Sequence, residues 1–190
     1  MTDRPRTVAV IGDGEVAPGS LKYELARNLG ILLCDRGFHV ATGGLGGVME
    51  AASRGARESS KWTGGIVIAL LPGTNPDDAN PYADIIIPTG LGHLRNSLVA
   101  RADAVIAIGG GAGTLTEIAF AWLYRRLIVA LRIDGWSGEL ADRRIDERTR
   151  HETIPDDRVF GASDAAEAVN IVSTRIESYM RSATSKDPWR

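Results

Sequence analysis

One stretch of the sequence decides the fold: Ala104-Val105-Ile106-Ala107-Ile108-Gly109-Gly110-Gly111-Ala112-Gly113-Thr114. Its first five residues are apolar, which predicts a strand buried on both faces. Four glycines among the next six residues predict a turn that a ligand can approach closely. A helix is expected to begin near Thr114, and the free N–H groups of a helix N-terminus attract anions. The stretch therefore predicts a phosphate-binding loop, residues 109–114, in an α/β protein.

Apolar strands and amphipathic helices alternate along the rest of the chain. Strands are predicted at 8–11, 38–41, 65–71, 85–87, 104–108 and 127–131, and helices at 20–36, 48–58, 91–102, 115–125 and 165–180. This order predicts one Rossmann-like three-layer domain, a mostly parallel sheet with helices on both faces, over residues 7–182. Residues 1–6 and 183–190 are expected to be flexible termini. Because crossovers are right-handed, all strands end at one edge of the sheet, where ligands bind.

The segment 134–157 is polar and irregular, and its charged run Asp142–Arg150 predicts a solvated segment or a lid. The helix at 115–125 is expected to bury Ile118, Trp122 and Leu123. Trp122 and Tyr124 fit either the core or an apolar contact face between subunits.

Charge and composition exclude several classes of function. The net charge of the 190 residues is −2, and no Lys/Arg run resembles a nucleic-acid-binding stripe. The one cysteine, Cys34, is expected to be buried and inert. We expect no signal peptide, and no apolar run of the sequence reaches the roughly 18 residues that span a membrane. We expect a cytoplasmic protein with no membrane or nucleic-acid partner and no metal site.

Two further glycine clusters precede helices, and each fits either ligand contact or tight packing. One is formed by Gly43, Gly44, Gly46 and Gly47, and the other by Gly12-Asp13-Gly14. Two common phosphate motifs do not fit them. A P-loop needs Gly-Lys-Ser/Thr, which is absent. Gly12 does begin a G-x-G-x-x-A pattern, but Pro18 and Gly19 interrupt the helix start, and the second strand ends without the acid that binds a ribose. We therefore expect no NAD.

Three polar residues are candidates for the ligand site. Arg95 lies in the helix that follows the strand at 85–87, where a guanidinium can clamp a phosphate through paired hydrogen bonds. Asn96 is a candidate second contact. Glu117 fits two roles. With Thr114 it forms the Thr-x-x-Glu pattern of a capping box, and as a ligand contact it could hold a ribose hydroxyl or assist glycosidic cleavage. His93 is expected to be structural.

These motifs together resemble the lonely-guy superfamily, whose members are often called lysine decarboxylases. The resemblance rests on Gly43-Gly44-Leu45-Gly46-Gly47-Val48-Met49-Glu50, on Arg95-Asn96 and on Ala102 through Glu117, and it covers roughly residues 7–180. Within the superfamily, the chain looks most like the molybdenum-cofactor carrier branch and its bacterial relatives.

The resemblance implies two functions. One is the binding or carrying of a phosphorylated nucleotide-like ligand, a molybdenum cofactor or a nucleotide monophosphate. The other is hydrolysis of nucleoside 5′-monophosphates, for which the motif assigns Arg95 and Glu117 as catalytic residues. Gly109 stands where the enzyme branch has proline, and Asn96 where it usually has lysine, so the chain departs from the hydrolase pattern.

Lysine decarboxylation is not expected, because it usually needs a Schiff-base lysine for pyridoxal phosphate. The three lysines Lys22, Lys61 and Lys186 lie in polar or terminal stretches. The resemblance also implies a homodimer or a homotetramer.

Overall fold

The computed structural model describes residues 4–184, with side chains through 182. The strands are β1 Thr7–Gly12, β2 His39–Thr42, β3 Val67–Leu71, β4 Ile85–Pro88, β5 Ala104–Ile108, β6 Leu127–Leu131 and β7 Val159–Ala162. The helices are α1 Leu21–Asp35, α2 Val48–Glu58, α3 Asn96–Val99, α4 Ala112–Leu123, α5 Trp136–Leu140 and α6 Ala165–Thr184, with 3-10 helices at Pro76–Asp78 and Gly92–Arg95.

All seven strands pair in parallel in the order β4-β3-β2-β1-β5-β6-β7. Strand β1 is central: Val8 is in register with Val40 of β2 on one side and with Ala104 of β5 on the other. The chain winds away from β1 in both directions, so a crevice opens between the carboxyl ends of β1 and β5. The predicted α/β Rossmann-like fold is confirmed.

Helices cover the two faces of the sheet unequally. The core on one face is built from α1, α2 and α6, and the core on the other face from α3 and α4. Strands β5 and β6 are buried along their whole length, which explains their continuous apolar sequence. No helix within residues 4–184 combines the length and the apolar composition needed to cross a bilayer.

Local signals set the ends of the first helix, whose bounds Leu21–Asp35 lie within one residue of the predicted 20–36. The Ser20 side chain accepts a hydrogen bond from the Tyr23 amide, 3.4 Å away, and caps the start of α1. Gly37 follows the C-cap with φ 79°, a conformation that glycine adopts without strain. The bounds of α2 match the prediction for 48–58.

The prediction of one continuous helix at 91–102 is wrong. The chain instead makes the 3-10 turn Gly92–Arg95 and then the four-residue α3, and Leu94 is 70% exposed. Leu123 is also not inward as predicted but 56% exposed. It lies five residues after the buried Ile118, about 140° around an ideal helix.

The segment 134–157 contains more structure than predicted. It includes α5 and leads into β7, which the sequence analysis did not predict. Residues 142–149 are largely exposed, as expected, but Arg150 is 5% exposed. Its guanidinium pairs with Asp157 at 2.5 Å and stacks 3.6 Å above the Trp122 ring, so the prediction of a solvated run is wrong at Arg150.

The beginning of the described chain is tied to the body of the domain. Arg4 forms a 2.8 Å ion pair with Asp103, and Arg6 forms one of the same length with Glu177. Residues 1–3 and 185–190, for which flexible termini were predicted, lie outside the described residues.

Candidate functional site

The glycine loop 109–114 turns the chain from β5 into α4. Gly109 and Gly110 adopt φ values of 60° and 93°, which favour glycine. Helix α4 begins at Ala112, two residues earlier than predicted, with Gly111 as its N-cap, and no side chain caps it. The first intrahelical bond runs from the Leu115 amide to the Gly111 carbonyl. Residues 111–113 are exposed, so the free N–H groups of this helix end face solvent and can donate hydrogen bonds to an anion.

Helix α5 hydrogen-bonds to the first two residues of the glycine loop. The buried Ser137 hydroxyl accepts a hydrogen bond from the Gly109 amide and donates one to the Leu131 carbonyl, both at 2.7 Å. The Trp136 amide donates to the Gly110 carbonyl at 3.0 Å. These bonds fix the first part of the loop while its α4 end stays open. Ser137 was not predicted as part of the site, because it lies 28 positions from Gly109 and no local sequence signal indicates the contact.

The capping role considered for Glu117 is excluded by the position of Thr114. Thr114 is the third residue of α4 rather than its N-cap, so a Thr114–Glu117 capping box does not form. Glu117 instead lies one turn further along α4 and contacts Arg95.

Arg95 and Glu117 form a buried ion pair beside the loop. Arg95 Nη1 lies 3.4 Å from Glu117 Oε1, and the two side chains are 9% and 8% exposed. Burial raises the pKa of Glu117 to about 7, an effect that the positive charge of Arg95 partly offsets. Arg95 Nε is buried and has no hydrogen-bond partner among the described residues. A buried donor without a partner is costly, so the geometry suits an acceptor from a ligand.

Asn96 joins the Arg95 segment to α4. Its amide nitrogen lies 2.8 Å from the Thr116 hydroxyl and 3.3 Å from the Gly113 carbonyl. Asn96 is 5% exposed, and its amide N–H groups are hydrogen-bonded within the protein. Asn96 therefore positions the site and does not face it. His93 is exposed on the 3-10 turn.

The cluster at 43–47 is explained mainly by packing. A Cβ on Gly43 would overlap Arg95 Nη1 and lie 2.6 Å from the Met49 sulfur, so this glycine makes room for the guanidinium. A Cβ on Gly44 would lie 2.7 Å from Leu71 Cδ2, and one on Gly47 would overlap the Asp13 carbonyl. Gly46 is half-buried and would meet the Gly14 carbonyl at 3.3 Å.

Gly12 has a similar packing reason, because its Cβ would overlap the Ile108 carbonyl of the neighbouring strand. The two residues around the crevice that the sequence analysis did not place together are Asp13 and Lys22. The sequence pattern singles out Asp13 only as part of the Gly12-Asp13-Gly14 cluster, and Lys22 only as a lysine in a polar stretch. Their side chains form a 2.7 Å ion pair beside Gly109.

The aromatic residues of α4 divide between the core and the surface. Trp122 is 2% exposed and belongs to the core, while Tyr124 is partly buried beneath Arg101, whose guanidinium lies 4.4 Å from its ring. A contact face built on Trp122 is therefore wrong within the described fold.

Comparisons with known proteins identify the family and agree with the fold. The sequence profile of the SLOG cluster4 family matches residues 5–169. A cytokinin riboside 5′-monophosphate phosphoribohydrolase of Mycobacterium marinum is 33% identical over 147 residues, 69% of this chain and 77% of that protein.

Two solved structures share almost the whole fold. The molybdenum cofactor binding protein of Rippkaea orientalis superimposes with a TM-score of 0.75 at 32% identity, covering 92% of this chain and 99% of that one. The molybdenum cofactor carrier protein of Chlamydomonas reinhardtii superimposes with a TM-score of 0.71 at 27% identity, covering 90% and 98%.

Proposed function

The chain belongs to the SLOG cluster4 family, and from that premise we propose that it binds a phosphorylated, nucleotide-like small molecule at the glycine loop 109–114. The resemblance to the lonely-guy superfamily, near its molybdenum-cofactor carriers, is confirmed. Of the residues expected from the sequence to bind the ligand, we propose that Gly109, Gly110, Gly111, Ala112, Gly113 and Thr114 surround the phosphate, with Arg95 and Glu117 beside them. Asn96, Gly12, Gly43, Gly44 and Gly46 are proposed to position the site through hydrogen bonds and packing.

One observation carries the proposal: the N-terminus of α4 is open and no side chain caps it. A Cβ added to Gly111 would meet nothing within 4 Å, so there is free space directly above the helix end. A phosphate there would accept hydrogen bonds from the free backbone N–H groups and gain from the helix dipole. Arg95 Nε supplies a further donor without a partner.

A charge introduced at Gly111 tests this proposal. Gly111 has φ −100°, which other residues adopt, so substitution leaves the backbone unstrained. In Gly111→Asp the carboxylate caps α4 and repels an anion. We expect unfolding free energy to stay within about 0.5 kcal/mol of wild type. Binding of AMP or inorganic phosphate, measured by calorimetry, should weaken at least about tenfold, a loss of about 1.4 kcal/mol.

Gly111→Ala is the matched control, because it adds volume without an acceptor or a charge. It should keep AMP affinity within about threefold of wild type, under 0.7 kcal/mol. Equal AMP affinity in Gly111→Asp and wild type would refute an anion site at this helix end, as would the failure of wild type to bind any phosphorylated probe.

The ligand we favour is a molybdenum cofactor carried as cargo, with its phosphate at α4. The similarity to the Rippkaea and Chlamydomonas proteins, over nearly their full length, supports this choice. Isolated molybdenum cofactor should bind wild type more tightly than AMP does, and Gly111→Asp should weaken both. If AMP binds as tightly as the cofactor, the ligand is a nucleotide monophosphate instead.

A nucleoside 5′-monophosphate phosphoribohydrolase is the second candidate, favoured by the Arg95–Glu117 pair. A buried carboxyl group with a pKa of about 7 suits a general acid or base near neutral pH. In that mechanism Arg95 would orient the phosphate, while Glu117 would assist cleavage at the ribose side. The loop argues against it. Gly109 has φ 60°, whereas the proline of the hydrolase pattern requires about −65°.

Base release from a panel of nucleoside monophosphates distinguishes the hydrolase function from the carrier function. Turnover that Glu117→Gln removes while AMP binding persists would establish the hydrolase. Binding of nucleoside monophosphates without base release would exclude the hydrolase and support the carrier function.

We also propose that the chain forms a homodimer or a larger homo-oligomer. Ile85 and Ile87 of the edge strand are 43% and 42% exposed, on the same face as the half-buried Ile68 and Leu70. This uncovered sheet face continues to Leu98, which is 39% exposed. An apolar surface of this kind is typical of a contact between subunits.

A further inference from the structure

The ion pair of Lys22 and Asp13 lies at the crevice between β1 and β5. Asp13 directly follows β1, and Lys22 lies in the first turn of α1. Lys22 Nζ is 2.7 Å from Asp13 Oδ2, and the two side chains are 22% and 28% exposed. The pair is therefore half-buried, yet solvent still reaches both groups.

This pair faces the first residue of the glycine loop. A Cβ on Gly109 would overlap Asp13 Oδ2 and lie 2.7 Å from Lys22 Nζ. Gly109 and Gly111 are two residues apart, so their Cα atoms are separated by at most about 7 Å. The ammonium therefore lies within the span of a small ligand that is bound at the start of α4.

The position of Lys22 is not explained by helix stability. The partial charge at the start of a helix is positive, so a cation in the first turn of α1 is unfavourable. Asp13 compensates part of this repulsion. Within residues 4–184, however, Asp13 is the single hydrogen-bond partner of the ammonium, which has three N–H donors. Donors remain for a ligand.

We propose that Lys22 is a second anion-binding residue of the glycine-loop site and that the ligand carries a second anionic group beside the phosphate at α4. Asp13 holds the ammonium next to Gly109, and the second anion joins Asp13 as its partner. This inference rests on the proposed function, because it presumes that the first phosphate binds at the start of α4.

A ligand series with one or two anionic groups tests the inference. AMP carries one, ADP adds a second phosphate, and adenosine 5′-phosphosulfate adds a sulfate. By calorimetry, wild type should bind ADP at least about tenfold more tightly than AMP, since an ammonium–oxyanion contact contributes about 1.4 kcal/mol or more. In Lys22→Met this preference for ADP over AMP should fall to about twofold or less. A preference for the phosphosulfate as well shows a general oxyanion contact, and a preference for ADP alone shows a phosphate contact.

Lys61→Met is the matched control, because Lys61 is exposed and donates to the Asp35 carbonyl away from the site. It should keep the wild-type preference. Lys22→Arg, which retains the charge, should restore part of the preference that Lys22→Met loses.

Two failures are distinguishable. If Gly111→Asp leaves AMP binding intact, the proposed function itself is wrong. If Gly111→Asp abolishes binding but Lys22→Met keeps the ADP preference, or if wild type shows none, the Lys22 inference alone is overturned.

Discussion

Arg95 and Glu117, 22 positions apart in the sequence, form a buried ion pair with Arg95 Nη1 3.4 Å from Glu117 Oε1. That separation is long for a charge-assisted hydrogen bond, so the pair does not fully offset the cost of burial. The pKa of the Glu117 carboxyl group is therefore raised to about 7, because burial outweighs the attraction of Arg95. Both side chains meet because the Arg95 turn and α4 lie on the same side of β5, next to the open helix end.

The raised pKa of Glu117 predicts how stability depends on pH. The folded protein holds the Glu117 proton up to about pH 7, whereas the unfolded chain releases it near 4.5. The folded state is therefore favoured below pH 4.5, and this contribution is lost as pH rises to about 7. At 1.36 kcal/mol per pKa unit, the loss is at most about 3 kcal/mol.

Glu117→Gln removes this titration. Urea unfolding from pH 4 to 8 should show the variant gaining stability relative to wild type between pH 4.5 and 7, with a constant difference above that range. Parallel stability curves for the two proteins would contradict a raised pKa at Glu117.

Substitution of Gly43 should separate binding from folding. A methyl group there overlaps the end of the Arg95 side chain and the Met49 sulfur, which are flexible groups. Gly43→Ala should cost about 1 kcal/mol of stability, the lower end for overpacking, because the Arg95 end group and the Met49 side chain can both shift. AMP binding should weaken at least about fivefold, or 1 kcal/mol, because the guanidinium is displaced.

Gly44→Ala is the contrasting variant for this test. Gly44 has φ 80° and would press on Leu71 and Ala69, so its substitution should destabilise the fold by about 2 kcal/mol or more. A Gly43→Ala protein that binds AMP as wild type does would show that Arg95 is not a ligand contact.

The buried network around Asp157 should be a main determinant of stability. Arg150 pairs with Asp157, and the Tyr179 hydroxyl donates to the same carboxylate at 2.7 Å. Arg150→Met leaves a buried carboxylate without its cation, which should cost about 3–5 kcal/mol of unfolding free energy. Tyr179→Phe should cost about 1.5–3 kcal/mol.

Arg148→Met provides the comparison within the same segment, since the Arg148 side chain is 70% exposed and pairs with Asp146 at the surface. Its unfolding free energy should change by about 1 kcal/mol or less. If Arg148→Met and Arg150→Met lose the same unfolding free energy in urea, the network around Asp157 is solvated rather than buried.

The uncovered sheet face should control assembly. Ile87→Lys places a charge on this apolar face, and sedimentation velocity should show a shift from oligomer to monomer. Ile145→Lys, at a 36% exposed isoleucine in the segment before β7, should leave the oligomer intact. If the wild type is a monomer, or if the Ile87→Lys variant is still an oligomer, this sheet face is not the contact between subunits.

The sequence by itself determined the architecture and the location of the candidate site. Continuous apolar runs such as Ala104–Ile108 identify buried parallel strands, because burial on both faces leaves no polar alternation. Gly109 and Gly110 mark the turn at the end of β5, since their positive φ values favour glycine. The edge strand β7 was missed because Gly161 interrupts the short apolar stretch Val159–Ala162, and glycine is depleted in strands.

The tertiary structure decided which polar side chains meet. The burial of Arg150 depends on Asp157 and Trp122, and the position of Lys22 depends on Asp13 and Gly109. Likewise, Glu117 contacts Arg95 rather than capping α4 because the helix begins at Ala112. Local spacing predicts the element on which a residue lies, but a charged group's partner and desolvation depend on chain segments that only folding brings together.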